Sequence, residues 1–120
     1  MRALELFDNE IIVAGGWIES FDIDLKYIEP LEGYFSAQVK LTGTGKVKIS
    51  YSSSNDGEDF INQSTTVDLI SEEFTATSGP KSNGKDVISF SPEPSRFLKL
   101  RIEEIGAVNP VTVSATLLAA

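Results

Sequence analysis

At 120 residues the chain has room for one hydrophobic core, so residues 1–120 are expected to form a single domain. Hydrophobic residues make up 41% and charged ones 23%, the mix of a chain that folds, and a net charge of −8 repels phosphate backbones and anionic lipid, which argues against nucleic-acid and membrane partners. The lack of any histidine or cysteine removes imidazole acid–base chemistry, thiolate nucleophiles, disulfides and zinc–thiolate sites, so no cofactor is expected and Ser-His-Asp and Cys-His catalysis are excluded.

From the start of the chain, Leu4 to Val13 reads as one or two strands. Glu5, Asp8 and Glu10 interrupt the apolar run a signal peptide needs, so none is expected, and no stretch nears the ~20 apolar residues of a membrane span. Gly15 and Gly16 turn the chain before Trp17, the sole tryptophan. That ring either packs in the core or at a subunit contact, or stands exposed as a stacking platform for a sugar. Phe21, Ile23, Leu25 and Tyr27 alternate with Asp22, Asp24 and Lys26, the pattern of a strand with one wet face that carries both aspartates outward. Phe35, Ala37, Val39 and Leu41, then Val47, Ile49 and Tyr51, repeat that rhythm on either side of Thr42-Gly43-Thr44-Gly45. The two runs read as a β-hairpin with Lys40, Lys46 and Lys48 on one outer face.

Asn55, Asp56 and Gly57 turn the chain again, with Phe60 and Ile61 expected as anchors on its return, followed by Val67, Leu69 and Phe74. Ser78 to Asp86 is the longest polar stretch and is expected to be the main mobile loop. Val87 to Phe90 forms a short strand ended by Pro92 and Pro94. Phe97, Leu98, Leu100 and Ile102 open the next, with Lys99, Arg101 and Glu103 pointing away. After a turn at Gly106 to Pro110, Val111, Val113, Ala115 and Leu117 alternate with Thr112, Ser114 and Thr116. Turns recur every 8 to 12 residues or so and no helical stripe is present, which predicts an all-β antiparallel β-sandwich, jelly-roll or galactose-binding-like, of seven to nine strands.

Three local patterns invite chemistry. Gly79 to Lys85 fits a phosphate-binding loop up to its eighth position, where Asp86 replaces the hydroxyl and a strand replaces the required helix, so a plain loop is the better reading. Asn55 to Asp59 gathers oxygen ligands without the alternating spacing of a calcium loop. Asp22 and Asp24 form the one carboxylate pair whose geometry the pattern implies, and such a pair more often keeps a strand soluble than catalyses. No catalytic, metal or cofactor residue is assigned, and the chain is expected not to be an enzyme. The candidate ligand or partner contacts are Trp17, Asp56, Glu58 and Asp59.

The run Tyr51 to Phe60, with Ser54, Asp56, Gly57 and Phe60, resembles the Ser-x-Asp-Gly hairpin of discoidin-type, galactose-binding-like sandwiches, and Ser95 to Ile102 resembles a late strand of those domains. Over a longer span, Gly33 to Leu118, the chain resembles small all-β virion proteins of tailed bacteriophages and prophages. The resemblance rests on Phe35 to Leu41, the Ser54 to Phe60 turn, the Thr77 to Asp86 loop, Phe90 to Pro94 and the closing Val-Thr-Val strand. It implies a structural component, decoration or head- or tail-associated, made in the host cytoplasm and carried in the virion. Such a protein acts through contacts with copies of itself or with other virion proteins. The alternative is a carbohydrate-binding module of the discoidin-like type.

Overall fold

The computed structural model describes residues 2–28, 30, 32–61 and 69–119. Among them are nine strands and no helix: β1 (Arg2–Ile12), β2 (Trp17–Glu19), β3 (Ile23–Asp24), β4 (Phe35–Gly43), β5 (Lys46–Ser54), β6 (Leu69–Thr75), β7 (Lys85–Phe90), β8 (Phe97–Glu104) and β9 (Val111–Ala119). No helix is therefore long and apolar enough to cross a membrane among the described residues. One sheet has the order β1-β9-β4-β7 and the other β2-β8-β5-β6, with β3 also paired to β8, and every pairing is antiparallel.

Strict alternation builds the core. Phe35, Ala37, Val39 and Leu41 of β4 and Val111, Val113, Ala115 and Leu117 of β9 are buried on the inner face of the first sheet. Val47, Ile49 and Tyr51 of β5 and Leu98, Leu100 and Ile102 of β8 oppose them from the second. Phe90 stacks on Phe35 at 5.7 Å and on Tyr51 at 5.8 Å, so one ring of β7 ties the two layers together.

The β4–β5 hairpin is not formed. β4 pairs with β7 and β9, whereas β5 pairs with β6 and β8, so the chain crosses between sheets at 44–45. Both apolar rows point inward either way, and packing them face to face across the core buries both. Gly43, at φ 100°, and Gly45, where an added Cβ would lie 2.8 Å from the Val111 Cβ, allow the tight crossing. In consequence Lys40 lies on the outer face of one sheet and Lys48 on that of the other.

The strand expected from Phe21 to Tyr27 shrinks to Ile23–Asp24. The Asp24 side chain accepts the Lys26 N–H, and its carbonyl accepts those of Tyr27 and Ile28, closing a turn that leaves Phe21 and Tyr27 exposed. Between β2 and β3, buried Ser20 stands in for the ladder: its N–H donates to Leu100 O and its hydroxyl oxygen accepts the Leu100 N–H. Ile61 bridges to Ser53 but is exposed, and Phe60 lies half-buried with the Lys99 ammonium 4.0 Å from its ring, so neither anchors the core. Val67 lies outside the described residues.

The polar stretch after Thr75 is cross-tied. Gly84 N–H donates to Ser78 O, Gly84 O accepts the Leu41 N–H, and Ser78 Oγ accepts the Thr75 N–H. Lys85 and Asp86 already belong to β7, so the Gly79 to Lys85 motif feeds a strand and lacks the helix N-terminus that a phosphate loop needs. β1 is an edge strand broken by two register shifts, with Asn9 at φ 51°, and bulges of this kind discourage pairing with a stray strand.

Candidate functional site

Six connections cross between the sheets, and four of them, after β1, β4, β6 and β8, emerge at one end of the sandwich. Three of them converge on Glu104, which continues the inward parity of Leu98, Leu100 and Ile102 and is 1% exposed. Its Oε1 accepts N–H groups from Gly15 at 2.9 Å and Ala107 at 2.7 Å, and its Oε2 those of Lys46 at 3.0 Å and Gly106 at 2.8 Å. Burial pushes this carboxyl up, but the four N–H bonds outweigh it and hold the group down at about 2. A charge so enclosed is a structural tie with no lone pair aimed at solvent chemistry.

Above that tie, residues 11–16, 42–45 and 105–111 contain no charged side chain, and the fourth connection, 76–84, carries one, Lys81. Val108 is 77%, Ile11 67% and Val13 66% exposed, and a Cβ on Gly15 would sit 3.9 Å from that of Ala107, so two of the turns touch at their tips. The opposite end is polar. There Arg96 makes a forked contact with Asp24 at 2.9 and 3.2 Å, and its N–H donates to Asn55 Oδ1 at 3.0 Å. The Arg96 guanidinium holds the Asp24 carboxyl below its usual range. Asp22 faces the Lys99 ammonium at 3.5 Å, so the two aspartates have separate cationic partners and share no cleft.

Asp56 closes its own turn. Its Oδ1 accepts the N–H groups of Glu58 and Asp59, both at 2.9 Å, and the Ser54 hydroxyl at 2.8 Å, which together lower its pKa to about 2. Glu58 and Asp59 point to solvent, and among the described residues no cluster of three carboxylates could hold a metal ion. Trp17 lies elsewhere: it pairs with Glu103 at one end of β8, whereas Ser54, just before the Asp56 turn, pairs with Phe97 at the other. Six residues of strand separate them, about 20 Å. The four candidate contacts therefore do not form one site.

Trp17 is not a core residue in this chain. It is 52% exposed, with the Arg101 guanidinium 4.2 Å from its ring centre and Glu19 3.8 Å from that guanidinium. Beside it a groove of about 440 Å³ runs between edge strands β1 and β2, with Leu6, Phe7 and Ile18 among its lining and Glu10, Trp17 and Phe21 at its margins. The sequence signalled the ring but not the groove, because nothing local places β1 beside β2 as the open edges of two different sheets.

No protein-family model matches the sequence, and no curated protein is similar to it. Solved structures are. SPBc2 prophage-derived protein YomS matches over 97% of this chain and 90% of its own, with 12% identity and a TM-score of 0.42. A chain of Mud Crab Dicistrovirus matches over 99% and 73%, with 14% identity and a TM-score of 0.46. CBM35 from Paenibacillus barcinonensis matches over 100% of both chains, with 16% identity and a TM-score of 0.52. That last likeness is one of fold, and with the two antiparallel sheets it makes the chain an all-β sandwich resembling the jelly-roll carbohydrate-binding modules.

Proposed function

We propose that the chain is a non-catalytic structural component of an assembled particle, of the phage or prophage kind its sequence resembles, and that copies of it meet through the crossover end. The observation that carries this reading is the apolar, charge-free surface over Glu104. A molecule of net charge −8 repels its own copies almost everywhere, and the three turns over Glu104 are where two can approach without opposing like charges. Val13 and Val108 supply an apolar centre, and the first charged residues met along the chain on either side of the first two turns, Glu10, Glu19, Lys40 and Lys46, with Lys81 of the fourth connection, supply a polar rim, the usual anatomy of a contact surface. A small rigid module repeated on a symmetric particle gains avidity from many weak contacts, so no single large interface is required.

Sedimentation velocity over a concentration series tests the reading. The wild type sediments as an oligomer at high concentration, and a variant carrying Val13→Asp and Val108→Asp, both at exposed positions, sediments as a single chain with an unchanged circular dichroism spectrum. A wild type that stays monomeric throughout, or an aspartate variant that associates as well as its parent, refutes it. The particle assignment has its own check, since terminase, portal or tail genes beside this one support it and their absence counts against it.

A further inference from the structure

We infer that the chain carries a second binding site, at the polar end of the sandwich: the cleft between the Asp56 turn and the Pro94–Ser95 segment takes a primary alkylammonium group, held by Ser53, Asp56 and Asp59. The cleft is about 440 Å³, within the ~300–1,000 Å³ of small-ligand sites, and Ile61 and Pro94 give it apolar walls. Ser53 continues the inward row of Val47, Ile49 and Tyr51, is 4% exposed and lines the cleft. Its backbone N–H and carbonyl are bonded to Ile61, but its hydroxyl has no partner among the described residues. A polar group so enclosed gains by bonding what enters the cleft.

The other polar groups select the ligand class. The three hydrogen bonds that close the Asp56 turn all fall on Oδ1, which leaves the second oxygen free, and neither Asp56 nor Asp59 has a cationic partner among the described residues. No described lysine or arginine lines the cleft: Arg96, next to Ser95, sends its guanidinium to Asp24, and Lys99 its ammonium to Asp22 and the Phe60 ring. Two carboxylates without counter-charge repel an anion. A bare metal ion finds no third carboxylate among the described residues and leaves most of the volume unfilled. A quaternary ammonium wants an aromatic cage, and no described aromatic ring lines these walls. A guanidinium forks onto both oxygens of one carboxylate, and Asp56 has only one to give. A primary ammonium fits on each count. It brings three donors and no acceptor to two carboxylates and the Ser53 hydroxyl oxygen, and its methylene stem lies along Ile61 and Pro94. Such a group is carried by a free diamine and by a lysine side chain of a neighbouring protein.

The experiment titrates the isotope-labelled full chain by NMR with putrescine and, separately, with Nα-acetyl-lysine amide. Tetramethylammonium, calcium and sodium chloride at matched ionic strength serve as controls, because exposed carboxylates attract any cation at low salt. At least one amine gives saturable shifts centred on the N–H groups of Ser53, Asp56, Asp59 and Ser95. A response to the lysine amide assigns the site to a protein side chain, and a response to putrescine alone assigns it to a free amine. Affinity falls about threefold or more in Ser53→Ala, which removes one neutral hydrogen bond, and in Asp59→Asn, at an exposed position, both folded by circular dichroism. No saturable shift with either amine, an equal or larger response to tetramethylammonium or calcium, or undiminished binding by either folded variant overturns the inference. The Val13→Asp and Val108→Asp variant, altered at the far end of the sandwich, binds amine as the wild type does, so failure of the assembly reading and failure of this one are separable.

Discussion

Replacing Glu104 with glutamine keeps the shape of the side chain and removes half of what it does. One oxygen remains to accept two of the four N–H groups, while the new amide presents donors to the other two, leaving two buried N–H groups unpaired. At about 1–3 kcal/mol for each unsatisfied group, the loss is about 2–6 kcal/mol. Linkage gives a figure in the same range: a carboxyl held at about 2 instead of 4.5 contributes about 3 kcal/mol. With a urea slope of about 1.5 kcal/mol per M, that lowers the unfolding midpoint by about 2 M. The pH dependence supplies the sharper signature. Above pH 4.5 the group is ionised in both the folded and unfolded chain and its contribution is fully present. As pH falls from 4.5 toward about 2 the unfolded chain binds the proton first, so the contribution drains away. Urea unfolding of both proteins across pH 7 to 2 therefore finds a stability gap that is widest at neutral pH and narrows through that window. A gap that is absent at pH 7, or constant down to pH 2, refutes the account of Glu104 as an ionised tie.

Other outcomes follow from the same geometry. Arg96→Ala releases the Asp24 carboxyl, whose NMR titration moves up toward the ordinary aspartate range; an unmoved midpoint would show that the forked contact is not what holds it. Gly84→Ala places a Cβ 2.8 Å from both the Ala76 and Leu41 carbonyl oxygens at φ 74°, and costs about 1–3 kcal/mol by thermal unfolding. Tyr51→Phe removes the acceptor of the Glu93 N–H at 3.1 Å and costs about 1 kcal/mol, read as a lower urea midpoint with the same slope.

The parts of the fold legible in the sequence are those governed by two-residue alternation. Phe35 to Leu41, Val47 to Tyr51, Leu98 to Ile102 and Val111 to Leu117 all place their apolar members inside, while Phe97, next to Leu98 in sequence, falls on the outward parity of β8 with the Arg96 guanidinium over its ring. Alternation does not say which sheet a strand joins, since an inward row looks the same beside its neighbour and across from it, and that is why β4 and β5 read as a hairpin. It also overran at Phe21 to Tyr27, where the side chain and carbonyl of Asp24 take over the backbone N–H groups that a longer strand would have sent to a partner. Glu104 did carry a signal: a carboxylate on the buried parity of a strand, followed directly by Ile105-Gly106, asks for backbone donors. Trp17 stayed ambiguous because its exposure depends on β1 and β2 being the edges of separate sheets, a fact no local window contains.

The place of β9 has a consequence for how this chain comes to be folded. It lies between β1 and β4, so the earliest segment and a middle one each wait for residues 111–119 before either has that neighbour. On the ribosome, Phe7, Phe35 and Val39 lack that cover until residues 111–119 have been made, and completion of the first sheet is a non-local event. Truncation ahead of Val111 should therefore yield an insoluble chain rather than a smaller domain, and nascent copies held close together on one message have strand edges to offer each other before they have their own.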